Sequence, residues 1–275
     1  MSLQTDINGI PALTLRVALI AGMLVSSRDA GAQQPPASGD VTSQRAERVK
    51  SLLNEIIIQR TGDFERITSE YAESHISEIR SIVQEHVLEA LNRSDKPDDV
   101  RHALKAVLGA IEPSFAFSAD LKGVKTAVAA FSLNYGGALT DMRGILLGYR
   151  KTELGYEVAA DESMRDCTLV LEDLYSPRAN EMWLLADARV RYFLTGAPKK
   201  VVLYSFDGYK FKELWTGGGM YGEVKIGKSE FTVDYMVPGQ PGVNPAFGEG
   251  NRTFRDTVKL TSGGPVASKQ ELSQK

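Results

Sequence analysis

Hydrophobic residues recur at helical spacing in the first half of the chain and at strand spacing in the second half. Between residues 41 and 113, apolar residues return every three or four positions, as they do on one side of an amphipathic helix. After about Ser114 the period becomes two, and short apolar runs follow one another about every ten residues. The pattern predicts an α+β protein, in which a helical segment precedes an antiparallel all-β domain.

The helical segment carries three apolar stripes, and each one ends at a residue that interrupts helices. Gly62 separates the first stripe from the second, Pro97 stands between the second and the third, and Pro113 closes the third. We therefore expect about three helices in residues 41–113. The stripes consist of Val49, Leu52, Leu53, Ile56 and Ile57; of Phe64, Ile67, Tyr71, Ile79, Val83, Val87 and Leu91; and of Val100, Leu104, Val107, Leu108 and Ile111.

The β domain is predicted to span residues 114–261, and residues 262–275 are predicted to be a disordered tail. Short strands joined by glycine-containing turns favour antiparallel pairing over alternating β-α crossovers. A sandwich, an open twisted sheet and a partial propeller all satisfy this pattern. The predicted strands are Thr126–Asn134, Gly144–Arg150, Tyr156–Asp161, Thr168–Leu174, Met182–Phe193, Val201–Phe206, Tyr209–Trp215, Gly222–Ile226, Phe231–Met236 and Thr253–Leu260.

The strongest local signal in the β domain is the Asp-Gly pair at residues 207–208. It lies between two runs rich in Val, Tyr and Phe, and an Asp-Gly pair supplies the positive φ angles of a two-residue type I′ turn. Such a turn pairs Phe206 with Tyr209. Two residues further along each strand, Tyr204 would pair with Phe211, so that four aromatic rings share one face.

Two features downstream of this turn interrupt the strand pattern. Glu213 breaks the alternation before Trp215, which predicts a β-bulge. The triplet Gly217–Gly219 lacks the spacing and the following helix of a dinucleotide-binding loop, and we interpret it as a flexible connection between strands.

Two windows of about 45 residues in the β domain are similar to each other. Each contains four predicted strands, and in each an aromatic residue follows a glycine at the second strand, at residues 155–156 and 208–209. The segment 206–211 resembles the hairpins in blades of secreted β-propeller proteins. The resemblance covers about a third of the chain, and two units cannot close a propeller. It implies a binding or scaffolding module.

The amino-terminal residues resemble an export signal. An apolar run at residues 17–25 follows Arg16 and is shorter than the roughly 20 residues of a membrane span. Small residues at Ala30 and Ala32 then predict a signal peptide, residues 1–32, that is cleaved after Ala32. The chain would then act outside the cytoplasm, in the periplasm or as a secreted protein. The alternative is an uncleaved anchor, which would make the protein a membrane-tethered β head on a helical stalk.

Residues 33–40 contain two adjacent prolines and are predicted to be a linker between this signal and the helices.

Charge and cysteine content exclude several classes of protein. The net charge of −3 argues against nucleic-acid binding, which draws on a clustered excess of Lys and Arg. The single cysteine, Cys167, excludes an intramolecular disulfide and a multi-thiolate metal site. We interpret Cys167 as a small apolar residue at a strand edge.

The three histidines do not predict a metal site. His75 and His86 would return to the same side of one helix, but about 16 Å apart along its axis, too far to share an ion. His102 lies in the third predicted helix. No phosphate-binding loop, Gly-x-Ser-x-Gly motif or calcium loop occurs, so we expect no cofactor and no metal.

The aromatic residues around the predicted hairpin are the candidates for a ligand contact. Tyr204, Phe211 and Trp215 could stack on a sugar or a peptide, but we favour core packing for them, because such rings bury a large apolar area. Phe247 lies in the Pro- and Gly-rich stretch 237–251, and a loop of this length is often functional.

These features favour an exported, non-catalytic binding or structural module whose partner is a protein or a carbohydrate. The alternative is an extracytoplasmic hydrolase with acidic residues that converge from several β loops. The acidic doublets at residues 161–162 and 172–173 are poor acid–base pairs by themselves, because neighbouring residues in a strand point to opposite faces.

Overall fold

The computed structural model describes residues 38–62, 69–135, 142–165, 169–189, 198–239 and 250–272. The predicted signal peptide, Cys167 and Phe247 lie outside these ranges, as do residues 33–37 of the predicted linker. Within the described ranges, no helix is both long enough and apolar enough to cross a membrane.

Three helices precede the strands, as the apolar stripes predict. Helix α1 spans Ser38–Gly62, α2 spans Ser69–Arg93 and α3 spans Pro97–Leu108. Pro97 occupies the first turn of α3, where its missing N–H costs no hydrogen bond, and Gly109 follows the last turn with a φ of 62°. Helix α1 begins inside the predicted linker, because its prolines end at residue 36 and the following residues can adopt helical geometry.

Eleven strands of the described residues form two antiparallel sheets, and the chain has the predicted α+β architecture. Strands that follow one another in sequence are hydrogen-bonded neighbours within each sheet. One sheet has the order β1-β2-β3-β4, and the other has the order β11-β10-β9-β8-β7-β6-β5. The strands are β1 Ser114–Leu121, β2 Val124–Asn134, β3 Met142–Thr152, β4 Gly155–Arg165, β5 Leu171–Leu174, β6 Met182–Arg189, β7 Pro198–Phe206, β8 Phe211–Ile226, β9 Glu230–Val237, β10 Arg252–Thr261 and β11 Gly264–Leu272.

The two similar sequence windows do not form two equivalent sheet units. Strands β3 and β4 of the first window belong to the four-stranded sheet, whereas β5 and β6 of the same window belong to the seven-stranded sheet. The similarity between the windows therefore reflects strand and turn composition.

The hairpin between β7 and β8 has a longer loop than the Asp-Gly pair predicted. Phe206 pairs with Phe211, so the loop contains the four residues 207–210. The Asp207 carboxylate accepts the backbone N–H groups of Tyr209 and Lys210, at 2.9 and 3.0 Å. These two bonds stabilise the longer loop, because a short acidic side chain can replace a backbone acceptor in a turn.

The predicted bulge after this hairpin is confirmed. Tyr204 pairs with Glu213, but Leu203 pairs with Trp215, so Leu214 is an additional residue in β8. The alternation of side chains between the two faces of the sheet therefore changes phase at Leu214.

The glycine triplet is part of a strand and not a flexible connection. Gly217–Gly219 lies inside β8, paired with the start of β7. A Cβ atom on Gly217 would lie 2.3 Å from the Trp215 ring, and one on Gly219 would lie 2.4 Å from the Tyr235 ring. The glycines are required because aromatic rings lie directly on the strand.

The predicted disordered tail is wrong for most of its length. Residues 264–272 form β11, which pairs with β10 from Gly264 to Leu272. The turn before it is closed by the Thr261 hydroxyl, which donates to the Gly264 carbonyl oxygen at 2.6 Å. The Ser-Gly-Gly composition of residues 262–264 therefore marks a hairpin turn.

The four-stranded sheet is buried on both faces. One face packs against the three helices and forms the helix-side core, which includes Leu52, Ile56, Val83, Leu104, Phe131, Ile145 and Tyr149. The other face packs against the seven-stranded sheet and forms the inter-sheet core, which includes Val128, Leu146, Leu184, Val202, Tyr204, Phe206 and Phe211. Burial on both sides explains why β2 and β3 have almost continuous apolar sequences.

The second face of the seven-stranded sheet forms a third group, the distal core. It includes Trp183, Leu185, Leu203, Phe231, Val233 and Val258, from strands near both ends of the sheet. Arg178, in the β5–β6 connection, donates to the Ser262 carbonyl oxygen in the β10–β11 turn at 3.0 Å. This bond links the β5–β6 connection to the β10–β11 turn, which belong to opposite ends of the strand order.

Close contact between the two sheets depends on Gly148 in β3. The rings of Phe206 and Phe211 stack with centroids 4.8 Å apart, and a Cβ atom on Gly148 would lie 2.7 Å from the Phe206 ring. No real Cβ contact is that short, and the neighbouring atoms belong to two packed rings that cannot move independently.

We predict that Gly148→Ala lowers the free energy of unfolding by about 1–3 kcal/mol, the usual cost of overpacking a filled core. Urea denaturation measures this difference. Gly263→Ala is the matched control, because a Cβ atom there would meet the Thr261 hydroxyl at an ordinary 3.7 Å. Equal free energies of unfolding for Gly148→Ala and Gly263→Ala would show that the sheets can move apart at Gly148 without a cost in stability.

A buried histidine lies between the helices. The His86 side chain on α2 is 2% exposed, and its Nδ1 lies 3.3 Å from a guanidinium nitrogen of Arg45 on α1. The same guanidinium donates two hydrogen bonds of 2.8 Å to the carboxylate of Glu89. Burial, and after it the Arg45 charge, lowers the pKa of His86 below its ordinary value of 6.5.

We predict that stability falls with pH below about 6.5, by at most about 1.4 kcal/mol per pH unit for this histidine. The unfolded chain takes up a proton near pH 6.5, whereas folded His86 stays neutral to lower pH. Protonation therefore favours the unfolded chain, so the free energy of unfolding has its full value above pH 6.5 and falls below it. Urea midpoints between pH 7.5 and 5 measure the slope.

His86→Gln should remove this slope, and His102→Gln should retain it, because His102 is exposed on α3. A slope that survives in His86→Gln would assign the effect to other groups.

Candidate functional site

Two of the aromatic residues predicted to contact a ligand are buried between the sheets. Tyr204 and Phe211 are 7% and 9% exposed and belong to the inter-sheet core with Phe206. Their rings meet edge to face, with centroids 6.4 Å apart. The favoured core role is confirmed for Tyr204 and Phe211, and their alternative use as surface candidates is corrected, because their ring faces are covered by the packed sheets.

Trp215 lies on the opposite face of the sheet from this group, because of the bulge at Leu214. Its ring packs edge to face on Phe231, with centroids 5.3 Å apart, and covers Gly217. Trp215 is partly buried at the border of the distal core. The fourth candidate, Phe247, lies outside the described residues.

One aromatic ring of the hairpin faces solvent. Tyr209 is 60% exposed, and its position follows from the four-residue loop, which places it outside both strands. Gly208 adopts a φ of +87° and packs 3.5 Å from the Thr126 methyl group, measured from its ideal Cβ position. With the two bonds to Asp207, these contacts make the loop a fixed support for an exposed ring.

The exposed ring is paired with a cation on the four-stranded sheet. The guanidinium carbon of Arg150, near the end of β3, lies 4.2 Å from the Tyr209 ring centroid. Glu157 on β4 accepts a 2.5 Å hydrogen bond from Arg150 Nε, and this bond is the main reason that the pKa of Arg150 is raised. We call these three side chains the Tyr209 platform: an exposed ring with the Arg150 guanidinium over one of its faces, and the Glu157 carboxylate bonded to that guanidinium.

A second polar group lies at the same end of the four-stranded sheet, on the side facing the helices. Asp95, in the α2–α3 connection, forms ion pairs with Lys125 and Lys151. It also accepts a hydrogen bond from the Tyr156 hydroxyl at 3.4 Å. The Lys125 hydrogen bond is the largest cause of the lowered pKa of Asp95, whereas burial raises the pKa of Tyr156. Asp95 lies between two helices and its partners lie on strands, so the group joins the helices to the sheet.

The acidic doublet at residues 161–162 does not form an acid–base pair. Asp161 forms an ion pair with Arg80 on α2, while Glu162 is exposed on the same strand. Glu172 is also exposed, and the side chain of Asp173 is outside the described set.

Two other carboxylates are buried, and both belong to the distal face of the seven-stranded sheet. Asp187 and Asp256 are 7% and 8% exposed, and Asp256 accepts a hydrogen bond from the Tyr235 hydroxyl at 3.3 Å. In the described part of the chain, no three His, Cys, Asp or Glu side chains are arranged to hold a metal ion.

The sequence did not identify the Tyr209 platform because the two-residue turn placed Tyr209 in a strand. A usable signal was Asp207, since Asp at the first position of a four-residue turn stabilises the longer loop. The partnership with Arg150 and Glu157 had no signal in sequence, because it joins strands of different sheets.

No protein-family model matches this sequence, and no curated protein is similar to it. One solved structure with some similarity is an α-L-arabinofuranosidase from Fusarium graminearum in complex with an iminosugar inhibitor. The two chains are 11% identical, with a TM-score of 0.29, over 59% of this chain and 50% of that chain. The match thus covers about half of the enzyme. A TM-score of this size supports no transfer of fold or function.

Proposed function

We propose that this protein is a non-catalytic binding module that contacts its ligand through the Tyr209 platform. The observation that carries the proposal is an aromatic ring, 60% exposed, on a loop fixed by hydrogen bonds. An exposed ring contributes little to folding, whereas a ring held in place can stack on a ligand without a large loss of conformational entropy.

The chemistry of the Tyr209 platform suits a sugar ring. The apolar face of a pyranose can stack on the face of the Tyr209 ring that Arg150 does not cover, while the guanidinium holds the ring in place from the other side. Peptide side chains with a flat face are the second class of ligand that this arrangement accommodates.

We predict that Tyr209→Ala weakens binding to immobilised oligosaccharides by about three- to tenfold, the usual contribution of one aromatic contact. An oligosaccharide array identifies the sugar, and titration calorimetry then compares the variants. Tyr175→Ala is the matched control, because Tyr175 is also exposed, at 66%, but lies in the β5–β6 connection.

Equal binding by the Tyr209→Ala and Tyr175→Ala variants would contradict the proposal. Binding to a peptide library, with no binding to sugars, would still support the Tyr209 platform as the binding surface, with a protein as the ligand.

We also propose that the protein acts outside the cytoplasm. The support is the pattern of residues 1–32, an apolar run followed by small residues at Ala30 and Ala32. After expression in a host that exports it, we predict an intact mass that corresponds to a chain beginning at Gln33. A mass that retains residues 17–25 would favour the membrane-tethered alternative.

A further inference from the structure

Strand β11 presents an open edge. It pairs with β10 on one side, from Thr253↔Leu272 to Thr261↔Gly264, without a register shift. It is the last strand of the seven-stranded sheet, so its other side has no neighbouring strand among the described residues. Residues 266–271 are all exposed, Val266 by 57%. The backbone N–H and C=O groups along this edge are therefore accessible to another strand.

The other sheet edges contact neighbouring elements of the chain. The edges formed by β1 and β5 approach each other, and the Leu171 N–H donates to the Ser114 hydroxyl at 3.3 Å. The β4 edge is joined to α2 by the ion pair between Arg80 and Asp161. Of the two edges of the seven-stranded sheet, β11 is thus the open one among the described residues, because the β5 edge meets β1.

The side chains of β11 form a charge pattern that is complementary to itself. Lys269 and Glu271 are two positions apart in one strand, so they point to the same face. Lys269 Nζ lies 4.4 Å from the Phe254 ring centroid, and Glu271 lies 4.0 Å from Arg252 on the same face. A second β11 strand in antiparallel orientation presents these charges in reverse order.

We propose that two copies of this chain pair antiparallel through β11, with the two-fold axis at Gln270. In this register Lys269 of each copy lies opposite Glu271 of the other, and Ser268 lies opposite Leu272. The contact joins the two seven-stranded sheets into one continuous sheet.

Charge selects this register over its neighbours. An axis at Lys269 places the two lysines opposite each other, and an axis at Glu271 does the same for the two glutamates, which is unfavourable. Pro265 has no backbone N–H, so pairing is confined to the part of β11 beyond it. A strand from an unrelated protein would match this pattern only by coincidence, whereas a second copy always does.

Sedimentation velocity of the full chain at several concentrations and low salt tests this proposal. We expect a concentration-dependent dimer. We also expect Lys269→Glu and Glu271→Lys each to weaken it by about tenfold or more, because each turns two attractive pairs into repulsive ones. The double variant exchanges both charges and should restore the dimer to within about threefold of the original affinity.

Mixing the two single variants gives the sharpest result. The Lys269→Glu chain carries acidic side chains at both positions, and the Glu271→Lys chain carries basic side chains at both. Every cross-strand pair between the two variants is then attractive, so the mixture should dimerise although each variant alone is monomeric. Lys228→Glu is the matched control, because it makes the same charge change in the β8–β9 turn and should leave the dimer unchanged. Thermal melts confirm that each variant is folded.

A wild-type chain that stays monomeric at every concentration would overturn the proposal. So would a dimer that Lys269→Glu leaves intact, or single variants that fail to associate when mixed. Each of these outcomes leaves the role of Tyr209 in ligand binding unaffected, because Tyr209 lies in the β7–β8 loop and not in β11.

Discussion

The contact of the Phe206 and Phe211 rings with Gly148 determines how the two sheets meet. The rings lie where a side chain of β3 would otherwise be, so the seven-stranded sheet approaches the backbone of the four-stranded sheet directly. The contact also fixes the β7–β8 hairpin on β3, and the hairpin in turn carries the exposed ring of Tyr209 above Arg150. The position of the candidate site therefore depends on a residue with no side chain.

Much of the fold was accessible from sequence because burial imposes a period on the residues that face a core. The three helical stripes, most strand positions and the bulge before Trp215 all follow from that period. Three of the errors have local physical causes. The β7–β8 loop is longer than predicted because Asp207 stabilises it. Gly217–Gly219 is a strand because aromatic rings supply the packing that glycines lack. Strand β11 was missed because it is exposed on both faces and has no hydrophobic alternation.

The candidate site was only partly predictable. The sequence drew attention to the aromatic hairpin, but it could not tell which ring would be exposed, since a change of two residues in loop length decides whether Tyr209 lies in a strand or outside it. The contacts with Arg150 and Glu157 cross between sheets and have no sequence signature. Functional side chains that converge from distant strands are, for the same reason, the part of a β-rich protein that pattern analysis describes least well.

Burial of the four-stranded sheet on both faces has a consequence for biosynthesis. The helices and β1–β4 leave the ribosome before any strand of the second sheet, so Val128 and Leu146 have no covering layer while the rest of the chain is still being made. During that interval the nascent chain displays an apolar surface that favours self-association or capture by a chaperone. The rate at which β5–β8 are synthesised thus sets how long the half-finished molecule is exposed to that hazard.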